Sequence, residues 1–342
     1  MSGAEATEET LLRIARAALT AYDLPPHTEV RPIRLINNAV LEVVAEGGLR
    51  LALRIHRPGY RAVEHIRSEL AFLEALAEEL RGTAIGVPRP IAARDGELTV
   101  CVGERGVDAS LPERHCDLLT WIDGRVLKHG CGLGVRSTRL LGEGLARLHD
   151  SAERFRPPAS FSLPTWDAET MFSDASPFGP GPMDEFLPPE AWTLFQEVAA
   201  RTQATFEQLD RAGGQRGIIH NDYVLINCHF ERAAHGWTLG ILDFDDLGWG
   251  YFLYDLAPLL GNLSDYPDAY RRLRRAFLDG YRNIRSLPPA LETHLPVLMA
   301  ARHAATLTWL AAKQRCGETD IPIERHLEVR VSEMRRCLTL YP

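Results

Sequence analysis

The chain has 342 residues, enough for two domains or two lobes around a sizeable core. Apolar residues make up 45% and charged residues 25%, which excludes a disordered or fibrous class. With 38 Lys plus Arg against 46 Asp plus Glu, the formal net charge of −8 argues against an extended nucleic-acid face.

The N-terminal segment is acidic and amphipathic where a signal peptide would be basic and then apolar, and no apolar run approaches the length of a membrane helix. Cys101, Cys116, Cys131, Cys228, Cys316 and Cys337 are scattered and form no CxxC pair. Reduced thiols, a cytoplasmic setting and no membrane partner are the expectation.

In chain order, Glu8 to Tyr22 has the apolar spacing of a helix that ends at Pro25-Pro26. Strands follow over Arg31 to Ile36, Ala39 to Ala45 and Leu49 to His56, with a turn at Glu46-Gly47-Gly48. Pro58-Gly59 breaks the third strand, and Val63 to Leu80 reads as a long helix. The pattern then predicts a hairpin of Ile91 to Ala93 with Leu98 to Val102 around Asp95-Gly96, and a strand over His115 to Trp121. Beyond Ile122-Asp123-Gly124 the sequence turns mainly helical, over Val135 to His149, Ala191 to Leu209, Pro267 to Tyr281, Leu295 to Ala312 and Ile323 to Leu338. Arg156 to Pro189, rich in Pro, Gly, Ser and aromatics, reads either as a loop covering a substrate site or as a surface wrap.

Alternation in the third strand puts Leu51, Leu53 and Ile55 on one face and Arg54 on the other. Arg54 can then meet Glu69 on the following helix. Such a pair is either a structural salt bridge or a cation held for an anionic ligand.

The densest chemistry lies between Gly217 and Pro258. Apolar Gly217-Ile218-Ile219 leads to His220-Asn221-Asp222, with Asn227 five residues beyond the aspartate. A strand, a turn at His235-Gly236 and a second strand over Trp237 to Leu242 deliver Asp243, followed by Phe244-Asp245-Asp246. Carboxylates at the ends of apolar strands are costly unless paired or metal-bound. This set suits phosphoryl transfer, in which positioning and charge neutralisation dominate. Asp245 and Asp246 read as helpers of Asp243, as partners of a cationic substrate, or as solvated loop residues. Cys228, His229 and His235 suggest a transition metal only weakly, because neighbours in a strand point to opposite faces. Trp249, Tyr251 and Tyr254 read either as lining of an acceptor pocket or, by default, as core, and Arg302, His303 and Trp309 on an otherwise apolar helix either present a polar group to the site or, by default, pack.

His220-x-Asp222-x4-Asn227, then Leu242-Asp243-Phe244-Asp245-Asp246 and Tyr254-Asp255-Leu256-Ala257, resemble the aminoglycoside phosphotransferase and choline kinase superfamily. Leu53 to Tyr60 and Ser68-Glu69-Leu70 are most similar to its homoserine kinase-like and stress-response-kinase-like branch. The resemblance implies an α+β, bilobal, protein-kinase-like fold, with a small antiparallel-sheet N-lobe over residues 1–119 and a larger, mainly helical C-lobe over residues 120–342. It implies ATP or GTP as donor, Mg2+ as cofactor and a small-molecule hydroxyl as acceptor. A protein Ser/Thr kinase and a catalytically weak nucleotide-binding regulator are the alternatives. Oligomeric state is not read.

The roles implied are a base at Asp222 and magnesium ligands at Asn227 and Asp243, oxygen donors suited to a hard cation. Arg54, oriented by Glu69, faces the donor's phosphates, and Asn38, Leu119 and Trp121 lie on the nucleotide side. His220 braces the catalytic loop, and Asp255, expected at a helix start, accepts backbone hydrogen bonds from it. The sequence departs from its relatives in four places, the first being Arg54 where the usual strand residue is a lysine, which keeps the charge but changes reach and geometry. Asn221 precedes the base, Tyr223 to Ile226 replaces a Pro-Gly turn, and Leu35 to Val40 holds no glycine.

Overall fold

The computed structural model describes residues 7–25, 27–34, 38–179, 183–234, 236–315 and 322–340. Pro26, Leu35 to Asn37 of the expected nucleotide loop, His235 of the expected turn and Cys316 lie outside the described residues. The chain divides into two compact units. One holds Met1–Gly124, Phe155–Leu163 and Phe230–Asp245; the other holds Arg125–Arg154, Pro164–His229 and Asp246–Pro342.

In the first unit α1 (Glu8–Leu19) starts at Thr7, whose side chain accepts from the Thr10 amide, with Glu8 and Glu9 in the first turn. Strands β1 (Thr28–Arg34), β2 (Ala39–Ala45) and β3 (Leu49–Ile55) form an antiparallel meander. Helix α2 (Val63–Glu79) buries Ile66, Glu69, Leu70, Leu73 and Leu76 on one face. After β4 (Ile85–Gly86), β5 (Pro90–Ile91) and β6 (Val100–Val102) comes β7 (Arg114–Thr120), which extends the sheet in the order β1-β2-β3-β7-β5. Leu41, Val43, Leu51, Leu53, Ile55 and Leu118 build one core with Ile14 and Ala18 of α1. Burial of such side chains is worth roughly 1.5–3 kcal/mol each.

The predicted hairpin needs correction. β5 and β6 do not pair with each other; both pair with β7, opposite Leu118 to Leu119 and Arg114 to Cys116 respectively. Seven residues of β7 are long enough to take both short strands end to end. Only the turn survives, as Ala93 N donating to Glu97 O at 2.8 Å and Gly96 N donating to Ala93 O at 2.9 Å.

In the second unit β8 (Lys128–His129) and β9 (Gly132–Leu133) precede α3 (Val135–Arg154), α4 (Ala168–Phe172), α5 (Met183–Phe186), α6 (Pro189–Arg211) and β10 (Arg216–Ile219). β11 (Cys228–Ala233) and β12 (Gly236–Ile241) then lead back into the first unit, where β12 runs parallel to β4. β13 (Gly248–Tyr251) returns to pair antiparallel with β10. The chain ends in α7 (Phe252–Asp255), α8 (Ala257–Ser264), α9 (Pro267–Arg282), α10 (Leu295–Arg315) and α11 (Ile323–Leu340). α3 and α9 touch backbone to backbone. A Cβ on Gly142 would lie 2.0 Å from Phe277 O, and one on Gly280 would lie 2.0 Å from Arg139 O.

Within this unit the part of the aromatic-rich stretch from Pro164 onward is tied down. Trp166, 1% exposed, donates from Nε1 to Asp246 O at 2.9 Å, and Trp249 N donates to Pro164 O at 2.8 Å. Among the described residues no helix is long and apolar enough to cross a membrane.

Candidate active site

The loop after β10 is built around Asp255. Its two carboxylate oxygens accept the His220 and Asn221 amides at 2.8 and 2.7 Å, and Oδ2 also meets His149 Nε2 at 3.0 Å. The expectation of a helix start needs correction: Asp255 closes the short helix α7, and Leu256 separates it from α8. The carboxylate still reaches the loop amides, because His149, held by Tyr281 Oη at 2.8 Å and stacked on Phe252, backs it from α3. Burial lowers the His149 pKa, with the Asp255 bond opposing. Asn221 takes φ of +64°, in the left-handed region that Gly tolerates best and Asn next best. That accounts for Asn before the base.

Asp222 is bonded at both oxygens. Asn227 Nδ2 donates to Asp222 Oδ2 and to Asp222 O, each at 3.0 Å, and Arg302 of α10 donates to Asp222 Oδ1. Burial works against the Arg302 charge, but Asp222 and Tyr254 overcome it and raise the pKa, so the guanidinium stays cationic. Arg302 is therefore no packing residue. The sequence signal is an arginine in the middle of an otherwise apolar stretch of helix. The interval Tyr223 to Ile226 is also anchored. Tyr223 Oη donates to Leu141 O at 2.9 Å, and Leu225 N donates to the Asn262 side chain of α8 at 2.7 Å. Ile226 is left 70% exposed.

The first unit holds a second charged cluster, centred on Arg54. Its Nη1 donates to Glu69 Oε1 at 2.6 Å and to Asp245 Oδ1 at 3.1 Å. Its Nε and Nη2 donate to the two oxygens of Asp117 at 2.9 and 3.1 Å. Asp117 stands opposite Arg54 in the β3–β7 register, and its Oδ2 also meets His56 Nε2 at 2.5 Å. Asp117 was not among the expected residues, although one acid amid the apolar run of β7 was the available signal.

Electrostatics sort these carboxyls. Burial acts to raise the Asp117 pKa, but Arg54 and the His56 bond bring it below the usual range. Burial pushes Glu69 up to about 7, with Arg54 opposing and Asp245 and Asp117 adding to the rise.

The remaining expected nucleotide-side residues are accounted for locally. Asn38 donates to Asp245 Oδ2 at 2.6 Å and accepts the Arg57 amide at 3.0 Å, so its side chain ties the β1–β2 loop to the Arg54 cluster. The Leu119 side chain is buried against Ile66 and Leu70. Trp121 stacks under the Arg50 guanidinium, 4.2 Å from ring centroid to Cζ.

The two expected metal ligands have suitable chemistry. Both partners of Asn227 Nδ2 are acceptors, which fixes the amide orientation and turns Oδ1 away from Asp222. Asp243, at φ of +65°, has Oδ2 3.3 Å from Arg34 Nη1, a cationic neighbour for an anionic oxygen. Among the described residues no group of three or more His, Cys, Asp or Glu side chains could hold a metal ion. Magnesium typically takes only one or two protein carboxylates, with phosphates and water completing the shell.

The model of the phosphotransferase enzyme family matches residues 29–292. The chain belongs to this family. This phosphotransferase is 28% identical over 245 residues to a homoserine kinase of Xanthobacter autotrophicus, covering 70% of this chain and 67% of that one. The structure of a microcompartment-associated aminopropanol kinase superposes with a TM-score of 0.75 at 26% identity, over 95% of each chain. That of an amicoumacin kinase in complex with AMP-PNP, Ca2+ and Ami superposes with a TM-score of 0.74 at 18% identity, covering 99% of this chain and 95% of that one. The α+β architecture is thus the protein-kinase-like fold of these phosphotransferases.

Proposed function

We propose that the chain moves the γ-phosphoryl group of ATP or GTP to a hydroxyl of a small molecule, with magnesium. The observation that carries the reading is Asp222, a carboxylate on a loop fixed by Asp255 and bonded by Asn227 and Arg302. It is oriented yet 25% exposed at the side chain, as a group that meets a substrate must be. Asp222 accepts or orients the proton of the acceptor hydroxyl. Arg302 keeps its charge beside it.

Arg54, held by Glu69, faces the donor's phosphates, and Asn38, Leu119 and Trp121 lie on the nucleotide side. Asn227 and Asp243 each offer magnesium an oxygen. Magnesium, when bound, neutralises charge on the donor's phosphates. A homoserine kinase and an aminopropanol kinase among the relatives support a small hydroxyl acceptor, and AMP-PNP with Ca2+ in the amicoumacin kinase supports an adenine nucleotide with a divalent cation. A cytoplasmic setting and the absence of nucleic-acid or membrane partners belong to the same reading.

The test is a panel of amino alcohols, hydroxy amino acids, sugars and aminoglycosides with ATP or GTP and Mg2+, read by mass spectrometry for the gain of one phosphate. Product from at least one compound is expected. Phosphorylated protein substrates with no small-molecule product would overturn the choice of acceptor.

A further inference from the structure

Arg54 has five N–H donors in a rigid fork, and four of them are taken by carboxylates: two by Asp117, one by Glu69 and one by Asp245. The three acids are not equivalent. Asp117 is bidentate, fully buried and fixed by its place in the sheet, opposite Arg54 on the neighbouring strand. Glu69 is 6% exposed at the side chain and lies on α2, whereas Asp245 is 19% exposed and makes a single 3.1 Å contact. One N–H of Nη2 is uncommitted to these acids. The edge carrying Nε and Nη2 is therefore held by Asp117, while Glu69 and Asp245 between them take both Nη1 N–H groups.

We propose that Asp117 is a positioning residue for the phosphoryl donor. It grips Arg54 across the β3–β7 pair, with His56 bracing its Oδ2, and so sets the plane in which the guanidinium, with one Nη2 N–H outside these carboxylates, meets the donor's phosphates. A bidentate carboxylate fixes both the plane and the roll of a guanidinium, whereas one bond from Glu69 to Nη1 leaves the roll free. This division of labour suits arginine in particular, since a lysine ammonium has no second edge to clamp. The inference rests on the phosphotransferase reading and on Arg54 serving the donor.

The experiment measures binding of the non-hydrolysable donor AMP-PNP with Mg2+, and separately of adenosine, by calorimetry on the full chain. The set is wild type, Asp117→Asn, Arg54→Gln and the double variant. Asp117→Asn is expected to weaken AMP-PNP on the order of tenfold, as coupled charged neighbours do, and to leave adenosine unchanged. In the Arg54→Gln background the same change is expected to add nothing. Should Asp117→Asn fail to fold, Asp117→Glu keeps the charge at the wrong reach and is expected to weaken AMP-PNP selectively as well. Equal losses for AMP-PNP and adenosine, no loss in any folded Asp117 variant, or a full loss that persists without Arg54 would each overturn the positioning role. A wild type that binds no nucleotide, neither ATP nor GTP, would instead sink the phosphotransferase reading beneath it.

Discussion

The arginine–carboxylate clusters around Arg54 and around Asp222 are built to opposite ends. In the first unit one arginine faces three acids, and Arg54, Glu69 and Asp117 are buried at 7%, 5% and 0% exposure, with Asp245 half-buried. The excess of carboxylate fixes the cation. In the second unit Arg302 donates to Asp222, which is also bonded by Asn227. There the donors fix the carboxylate. A buried cation that must not move calls for surplus acceptors, whereas a carboxylate that must take a proton calls for donors and an open side.

The largest effect separating the two should come from Arg54→Gln. It strands three acids in a buried cluster, and breaking such a pair costs about 3–5 kcal/mol. Chemical denaturation should register that loss, and a loss under about 1 kcal/mol, the range of exposed ion pairs, would mean the cluster is solvated. Glu69→Gln gives a pH signature of up to about 3 kcal/mol. The Glu69 carboxyl is raised to about 7 from an unfolded value near 4.5. Its contribution to stability is therefore fully present below the unfolded value and is lost as pH rises through about 7. Wild-type stability relative to Glu69→Gln should fall from about pH 5 to about pH 8 in a melting series. A flat difference would show that Glu69 is held as a carboxylate throughout.

Smaller effects belong to the second cluster. Arg302→Gln removes one charge-assisted hydrogen bond from Asp222 and should lower kcat by about tenfold to a hundredfold with nucleotide affinity unchanged, Arg302→Lys recovering part of the loss. An altered nucleotide affinity would place Arg302 with the donor instead. Least of all, Asn221→Gly trades a strained left-handed Asn for a residue at ease there, and should shift stability by less than about 1 kcal/mol with the catalytic loop intact. A larger loss would show that the buried Asn221 side chain holds the loop by itself.

How much of this was legible in the sequence depended on distance along the chain. Helix α2 and strands β2 and β3 follow their apolar periods closely, and the Arg54–Glu69 pair follows from strand alternation feeding a helix only 15 residues on. Asp117 lies 63 residues from Arg54, and its role depends on β7 being the neighbour of β3, which no local pattern states. The same blindness produced the mistaken hairpin, since both halves answer to β7. Arg302 was visible as a charge on an apolar helix but 80 residues from its partner, so packing looked the simpler reading. Asp255 accepts backbone hydrogen bonds from the catalytic loop as the sequence suggests, but from the end of α7 rather than a helix start, because the break at Leu256 is a matter of backbone geometry rather than composition.

The central claim is that Asp222 acts on the acceptor, and Asp222→Ala tests it most directly. ATP-dependent phosphorylation of the responsive compound should fall by about 10²–10⁴-fold in kcat, the usual worth of a positioned base, while calorimetric binding of AMP-PNP with Mg2+ stays near wild type. Equal turnover in wild type and Asp222→Ala would contradict it.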